Sequence, residues 1–378
     1  MSDGYVLITG GCGFIGTNLA DRLLRDGHRV CVFDNLSRAG VERNLEWLRA
    51  QHGERLLARV ADTRDANAVR EAVRGATRVF HLAAQVAVTT SLDDPVSDFE
   101  NNARASLNVL EAIRNSNHRP PLLFTSTNKV YGGLSDVTLD EEALRYTPRN
   151  VRVAKHGVGE TRPLDFHSPY GCSKGTADQY VRDYTRSYGL QTIVFRMSCI
   201  YGPHQFGTED QGWVAHFLIR AINREPIAIY GDGKQVRDIL FVDDLVDAML
   251  LASADMNRCA GEAFNIGGGA TNTISLRELL AMIRELEGRE PRVTWSDWRT
   301  GDQKYYVSDA RRFSARTGWS PRVGTREGVR RLREWLLTAG IPAMVQHAEE
   351  PASIAAKRVA GGGRVGERPV AAAAQAKE

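Results

Sequence analysis

Short apolar runs alternate with longer amphipathic stretches through the first half of this 378-residue chain. Strands that are apolar on both faces are typical of a parallel sheet covered by helices on both sides. Two of the intervening stretches, 102–115 and 173–188, carry apolar or aromatic residues at helical spacing and are predicted to be helices. The predicted strands are residues 5–9, 29–34, 56–60, 78–82, 122–125 and 192–196.

The pattern changes after about residue 200, where the elements become shorter and less regular. We therefore predict a Rossmann-type doubly wound α/β domain over residues 1–200 and a smaller mixed α/β substrate-binding lobe over 201–340, with the chain crossing between them more than once. A charged segment at 134–165 is predicted to be an inserted loop beside the active site. Residues 349–378 lack periodicity and a core-forming composition, which predicts a disordered tail.

Composition argues against several classes of function. With 42% apolar residues, 25% charged residues and a net charge of +3, the chain resembles a globular protein and lacks the basic patch of a nucleic-acid binder. Its five cysteines are scattered, which argues against a disulfide framework and a metal site and favours the cytoplasm. No apolar run is long enough to span a membrane, so we expect no membrane partner and no signal peptide.

A glycine-rich turn follows the first predicted strand. Gly10, Gly13 and Gly16 have the spacing G-x-x-G-x-x-G and precede a predicted helix. Such glycines let the backbone approach a pyrophosphate at the positive end of the helix. Asp34 ends the second strand, where a carboxylate binds the hydroxyls of a ribose and repels a 2′-phosphate. The sequence therefore favours NAD as the cofactor, and Arg38 leaves NADP as the alternative.

The other predicted cofactor contacts flank these positions. One of them, Asp62, is expected to reach the adenine. His81, at the end of the fourth strand, is interpreted as a structural residue. The remaining candidates are Phe14 and Ile15 at the start of the first helix, Asn35 after the second strand, and Leu82, Ala83 and Ala84 after the fourth.

Thr127, Tyr170 and Lys174 supply a hydroxyl, a phenol and an ammonium. A phenol with a pKa of about 10 is a poor base near neutrality. Lys174 lies one helical turn beyond Tyr170 and places a positive charge on the same face, which together with the nicotinamide cation favours the phenolate. We therefore predict that Tyr170 is the base, that Thr127 holds the substrate hydroxyl, and that Tyr170 and Lys174 also contact the cofactor.

Several blocks of the sequence, taken together, resemble the extended short-chain dehydrogenase/reductase superfamily over roughly residues 4–340, and within it the CDP-paratose/CDP-tyvelose 2-epimerases. The resemblance implies a tightly held NAD that oxidises a nucleotide-linked sugar at C2 and returns the hydride to the opposite face. It also implies a homodimer formed through the helices at 102–115 and 173–188. The blocks are QVAVTTS at 85–91, TNKVYG at 127–132, DFHSPYGCSK at 165–174 and QFGTEDQGW at 205–213.

Asn128 and Lys129 distinguish among the reactions of that superfamily. A 4,6-dehydratase must remove a proton beside its new ketone and expel a hydroxyl, which suits two carboxyl groups next to Thr127. An amide and an ammonium cannot do this together, whereas an epimerase needs one base, a bound cofactor and room for the keto-sugar to turn. Oxidation at C2 rests on the resemblance alone, so 4-epimerisation of a UDP-sugar is the main alternative. A 4,6-dehydratase and a non-catalytic NAD sensor are the others.

The resemblance also places the diphosphate of a nucleotide-sugar substrate on arginines of the second lobe. Arg237 matches the nucleotide-binding strand of the family, and Arg299 with Asp302 matches a second site; a guanidinium can bind phosphate through two hydrogen bonds. Cys199 stands where many relatives carry Asn, so we expect a polar substrate contact to be missing there, with Gln205 or Gln211 as compensation. The predicted substrate-binding set is completed by Gln85, Asn128, Lys129 and Gln211.

Overall fold

The computed structural model describes residues 4–299 and 301–340, and the predicted tail at 349–378 lies outside them. No helix in these two ranges is both long and apolar enough to cross a membrane.

A π-helical segment, Glu100–Arg104, joins the fifth and sixth helices. The strands are β1 Tyr5–Thr9, β2 Val30–Asp34, β3 Leu56–Val60, β4 Ala76–His81, β5 Leu122–Thr127, β6 Leu139–Glu141, β7 Tyr146–Pro148, β8 Thr192–Met197, β9 Cys199–Tyr201, β10 Ile227–Tyr230, β11 Val236–Phe241, β12 Ala263–Ile266, β13 Thr273–Ser275, β14 Val293–Ser296 and β15 Tyr305–Tyr306. The helices are α1 Phe14–Arg25, α2 Val41–His52, α3 Ala66–Arg74, α4 Val88–Asp93, α5 Pro95–Phe99, α6 Ala105–Arg114, α7 Val151–His156, α8 Ser168–Tyr188, α9 Trp213–Ile222, α10 Val242–Ala254, α11 Met256–Cys259, α12 Leu276–Glu287, α13 Arg311–Thr317 and α14 Thr325–Thr338.

Seven parallel strands form the central sheet, in the order β12-β8-β5-β4-β1-β2-β3. The predicted Rossmann-type doubly wound sheet is confirmed, and all six strands predicted from the apolar runs belong to it. The chain adds β2 and β3 on one side of β1, and then β4, β5 and β8 on its other side. The order of the strands therefore reverses at β1, which leaves a crevice at the carboxyl ends of β1 and β4. Open α/β sheets bind ligands at such a crevice.

Burial on both faces explains why the strands are continuously apolar. In β1, Val6 and Ile8 pack into the core that contains α1, α2 and α10. Tyr5 and Leu7, which point to the opposite face, pack into the core that contains α3, α6 and α8. Successive strand residues thus enter two different cores, and neither face of the strand can be polar.

A smaller lobe is built around β11, which pairs in parallel with β9 and β15 and antiparallel with β13. The helices α9, α12 and α14 share a core with it. The chain also returns to the central sheet, because β12 pairs with β8 and α10 packs into the same core as α1. The predicted division at residue 200 therefore marks only where the chain first leaves the sheet.

The segment at 134–165, predicted to be an inserted loop, contains the antiparallel hairpin β6-β7 and the short helix α7. Backbone hydrogen bonds tie it to the rest of the chain; for example, Asp165 N donates to the Val130 carbonyl oxygen at 2.9 Å, and Val158 N donates to that of Val307 at 2.7 Å. The first bond ties the insertion to the turn after β5, and the second ties it to the segment after β15. The insertion therefore bridges the two lobes rather than projecting freely.

Candidate active site

A cavity of about 520 Å³, here called the cofactor cavity, lies at the carboxyl ends of β1 and β4. Gly10, Gly13 and Gly16 line it. Gly10 has φ +67°, and a Cβ there would lie 2.7 Å from the Ala83 backbone nitrogen, so only glycine lets the two strand ends meet. At Gly13 a Cβ would meet only the Gly10 carbonyl oxygen, at 3.2 Å, which leaves open space at the N-terminus of α1. A pyrophosphate fits this place.

Asp34 is fixed at the wall of the cofactor cavity by two backbone donors. Its Oδ2 accepts from Cys12 N at 3.0 Å and its Oδ1 accepts from Leu36 N at 2.9 Å. Arg38 lines the same cavity; burial lowers the pKa of its guanidinium, and the nearby Asp34 carboxylate opposes that change. The positive charge of Arg38 is thus partly balanced by Asp34, and the cavity suits a ribose with free hydroxyls better than one with a 2′-phosphate.

Two predicted residues occupy different places from those expected. Asp62 does not line the cofactor cavity; its carboxylate accepts from Arg64 Nη2 at 2.8 Å and from Asn35 Nδ2, of a residue that does line it, at 2.9 Å. The bond to Arg64 lowers the pKa of Asp62 to about 2. Gln85, predicted as a substrate ligand, lines the cofactor cavity instead. The other predicted residues of this cavity all line it: Phe14, Ile15, Asn35, Leu82, Ala83, Ala84, Tyr170 and Lys174.

The three predicted catalytic residues lie where a second cavity of about 390 Å³, here called the substrate cavity, adjoins the first. Tyr170 lines both cavities, Thr127 lines only the substrate cavity, and Lys174 lines only the cofactor cavity. Lys174 Nζ donates to the Thr125 carbonyl oxygen at 2.6 Å and lies 4.2 Å from the centre of the Phe124 ring. This bond ties α8, which carries Tyr170, to β5, which ends in Thr127.

Burial opposes the charged forms of both Tyr170 and Lys174. It raises the pKa of Tyr170 to about 12, although a hydrogen bond with Thr127 acts in the opposite direction. It lowers the pKa of Lys174 to about 7, although attraction to Asp178 and Asp98 favours the ammonium. A further positive charge beside Tyr170 is therefore needed before its phenolate can serve as a base near neutral pH.

The substrate cavity is lined by both cationic and anionic side chains. Lys129 Nζ donates to the Gly301 carbonyl oxygen at 3.0 Å, and burial, followed by repulsion from Arg237, lowers the pKa of this amine to about 8. Arg299 also lines the cavity. The wall also holds the carboxylates of Glu209, Asp210 and Asp302, and the first two pair with Arg299. Lys129 and Arg237 therefore supply most of the positive charge available to an anionic ligand such as a diphosphate. The other predicted substrate residues that line it are Asn128, Cys199, Gln211 and Asp302.

Arg299 is held in position from two sides. Its guanidinium lies 3.6 Å from the centre of the Tyr230 ring. Its Nη2 pairs with Glu209 Oε1 at 2.8 Å and its Nη1 pairs with Asp210 Oδ1 at 3.4 Å. A diphosphate bound by Arg299 would share the guanidinium with these carboxylates.

Cys199 keeps a neutral thiol. Burial raises its pKa, and its sulfur accepts a hydrogen bond from Trp213 Nε1 at 3.5 Å. The thiol is therefore suited to packing and not to nucleophilic attack. Nor does it belong to a metal-binding cluster: within residues 4–299 and 301–340, no group of three or more His, Cys, Asp or Glu side chains is placed to hold a metal ion.

Some cavity residues were not predicted from the sequence. Ser126 lines both cavities, and its hydroxyl oxygen is buried without a hydrogen-bond partner among the residues that the structure describes. Thr89 Oγ1, on the wall of the substrate cavity, has the same property, as does Oε1 of Gln205, which was predicted as a compensating substrate contact. Unpaired buried polar atoms at a cavity wall indicate ligand contacts. The sequence offered only the position of Ser126, between Thr125 and Thr127, as a signal.

Proteins of known function share the fold and the length of this chain. The model of the NAD dependent epimerase/dehydratase family matches residues 6–267. The chain is 43% identical over 337 residues to CDP-paratose 2-epimerase of Salmonella typhi, which covers 87% of this chain and 98% of that protein. It is 32% identical over 330 residues to UDP-glucose 4-epimerase of Mycolicibacterium smegmatis, covering 87% and 97%. The crystal structure of UDP-glucose 4-epimerase from Thermus thermophilus in complex with NAD superposes with a TM-score of 0.74 at 33% identity, covering 89% and 99%.

The open space at Gly13 yields a test of the cofactor cavity. Gly13 has φ −67°, which any residue adopts, so Gly13→Val should fold while its methyl groups enter the cavity. We expect NAD affinity, measured by calorimetric titration, to fall about tenfold to a hundredfold. Gly133→Val is the matched control, because an added Cβ there meets nothing within 4 Å. Unchanged NAD binding by Gly13→Val would contradict a pyrophosphate site at this turn.

Proposed function

Because the chain belongs to the NAD dependent epimerase/dehydratase family and uses NAD as its cofactor, we propose that it inverts C2 of a CDP-linked sugar of the paratose, tyvelose or glucose type. The observation that carries the proposal is the place of Tyr170 in the wall shared by the cofactor and substrate cavities. The choice of C2 and of the CDP group is supported by 43% identity to the Salmonella 2-epimerase, against 32% to the Mycolicibacterium 4-epimerase.

In this proposal Tyr170 acts as the base. NAD, when bound, supplies a positive charge beside the phenol and both accepts and returns the hydride. The Tyr170 phenolate removes the proton of the C2 hydroxyl, which the Thr127 hydroxyl holds in place. Lys174 stabilises the phenolate by its positive charge. The keto-sugar then turns within the substrate cavity, and Tyr170 gives the proton back to the oxygen at C2.

Diphosphate binding would keep the intermediate in the cavity while it turns. Arg237 and Arg299 line the same cavity as Thr127 and supply the guanidinium groups for this task. Because the diphosphate is attached at C1, beside the reacting carbon, the anchor would hold one end of the sugar and leave the ring free to rotate. Lys129 adds a third cation on the side of the catalytic threonine.

Asn128 and Lys129 support epimerisation over dehydration. Asn128 Nδ2 donates to Gln303 Oε1 at 3.2 Å, and Lys129 Nζ bonds to Gly301, so both side chains join the end of β5 to the segment before β15. Neither side chain offers the carboxyl group that elimination of a hydroxyl requires beside Thr127.

We also propose that the chain forms a homodimer through α4, α5, α6 and α8. Large apolar side chains are exposed on α8 and on α4 and α5, which contact it, and a second copy of the chain would cover them. Static light scattering should give twice the mass of one chain, and the mass of a single chain would contradict the proposal. The exposed side chains are Leu92, Val96, Phe99, Tyr180 and Tyr188.

A cytoplasmic location is a further part of the proposal. Cys12, Cys31, Cys172, Cys199 and Cys259 are all free thiols, as expected in a reducing compartment. Cell fractionation tests this, and recovery from an oxidising compartment would contradict it.

The reaction is tested with a panel of sugar nucleotides in deuterated water, read by NMR. We expect CDP-paratose, CDP-tyvelose or CDP-glucose to give the C2 epimer without deuterium at C2, because the hydrogen returns from the cofactor. Solvent deuterium at C2 would contradict direct oxidation at that carbon. Inversion of UDP-glucose at C4 would instead establish the 4-epimerase alternative, and a 4-keto-6-deoxy product would establish a dehydratase.

The role of Tyr170 is tested by Tyr170→Phe. Loss of the base should lower turnover by about a hundredfold to ten-thousandfold, while NAD stays bound because the rest of the cofactor cavity is unchanged. Tyr180→Phe, on the exposed side of the same helix, is the matched control. Normal turnover by Tyr170→Phe would remove this residue from the mechanism.

A further inference from the structure

Asp98, on α5, is a buried carboxylate behind the catalytic helix, with an exposure of 1%. Its Oδ2 accepts from Ser173 Oγ at 2.5 Å, and its Oδ1 accepts from Asn102 Nδ2 at 3.0 Å. The Asn102 amide also bonds to Ser173 Oγ at 3.0 Å, which closes a triangle of hydrogen bonds. Both partners are uncharged, and no salt bridge within the described ranges involves Asp98. A buried carboxylate in this state is favourable only if a positive charge lies nearby.

Lys174 is likewise buried and forms no salt bridge with a carboxylate of residues 4–299 and 301–340. It has an exposure of 3%, and its hydrogen bond goes to the neutral carbonyl of Thr125. Ser173, which holds Asp98, is its neighbour in the chain. Asp98 and Lys174 lie on α5 and α8, which pack against each other. Burial raises the pKa of Asp98, whereas the Ser173 hydrogen bond and the attraction to Lys174 oppose this change and favour the carboxylate. Asp98 in turn favours the ammonium of Lys174.

The other titratable groups around Lys174 are already satisfied. Asp178 accepts from Arg196 Nε at 2.8 Å and from Arg196 Nη2 at 2.9 Å. His81 shares hydrogen bonds with Thr9 Oγ1 at 2.6 Å and Ser106 Oγ at 3.0 Å. Burial, followed by repulsion from Lys174, lowers the pKa of His81 to about 3, so this ring is neutral. Asp178 also attracts Lys174, but it already pairs with Arg196, so within the described residues Asp98 is the neighbouring carboxylate that has no cationic partner of its own.

We propose that Asp98 is a positioning residue for the reaction, which keeps Lys174 in its ammonium form and is itself held by Ser173 and Asn102. The inference rests on the proposed function, in which the ammonium stabilises the Tyr170 phenolate. Asn102 Oδ1 also accepts from Gln85 N at 2.9 Å, and Gln85 lines the cofactor cavity. The same network therefore connects the buried carboxylate to the backbone beside the cofactor.

The direction of the effect on pH dependence follows from the charge of Asp98. A negative charge raises the pKa of every neighbouring group, so Asp98 raises the pKa values of both Tyr170 and Lys174. The acid limb of the rate profile reports ionisation of Tyr170, and the alkaline limb reports loss of the proton from Lys174. Removal of the Asp98 charge should therefore move both limbs to lower pH.

The test compares Asp98→Asn with wild type, both loaded with NAD, as profiles of kcat/KM against pH. We expect both limbs to move to lower pH by about one unit, so that turnover on the alkaline side falls about tenfold. Ser173→Ala is the matched control, because it breaks the same network and leaves the charge; it should lower the rate without moving the limbs. Asp98→Glu, which restores the charge, should return them towards their original positions.

A second readout does not depend on turnover. Ultraviolet difference titration of the NAD-bound protein, with Tyr170→Phe subtracted, follows the Tyr170 phenolate directly, and its midpoint should fall in Asp98→Asn. If that variant does not fold, Asp98→Ser is measured in the same way. The inference would be overturned if the two limbs and the titration midpoint stayed in place in Asp98→Asn. It would also be overturned if Ser173→Ala shifted them by the same amount. Absence of epimerisation by the wild type would instead overturn the proposed function, and the phenolate titration would still be readable.

Discussion

The hydrogen bond from the Lys174 ammonium to the Thr125 carbonyl oxygen, at 2.6 Å, connects the two elements that carry the reactive groups. It joins α8, on which Tyr170 lies one helical turn earlier, to β5, which ends in Thr127. A second tie between α8 and the sheet is the buried pair of Arg196 and Asp178. Because the same side chain donates the bond to Thr125 and, as an ammonium, favours the phenolate, the position of the phenol and its ionisation depend on one lysine.

The parallel sheet explains why the remaining groups can meet at this point. All of its strands end on one edge, so the turn after β1, the turn after β4 and the end of β5 surround a single crevice. The contact between Gly10 and Ala83 sets how closely the first two approach. The smaller lobe then supplies two cationic groups, Arg237 and Arg299, to the substrate cavity. Tyr170 consequently lies in the wall that the cofactor cavity shares with the substrate cavity.

The strands and the glycine turn could be predicted from the sequence because each leaves a local pattern, namely an apolar run buried on both faces or a fixed glycine spacing. The correct cavity for Gln85 and the pairing of Asp62 with Arg64 leave no such pattern, since they depend on side-chain directions. The same holds for Asp98: a carboxylate near a helix start is usually exposed, and only the packing of α5 against α8 buries it. The return of β12 to the sheet likewise depends on contacts distant in sequence.

In the proposed mechanism, the cofactor and the substrate are held on opposite sides of Tyr170. The hydride that leaves a sugar is therefore expected to return to the same sugar molecule. The most direct measurement mixes a CDP-linked sugar deuterated at C2 with the same sugar labelled throughout with carbon-13, and analyses the epimerised product by mass spectrometry. We expect the deuterium to remain entirely in product molecules that lack carbon-13. Deuterium in the carbon-13 product, or its loss to solvent, would contradict this mechanism.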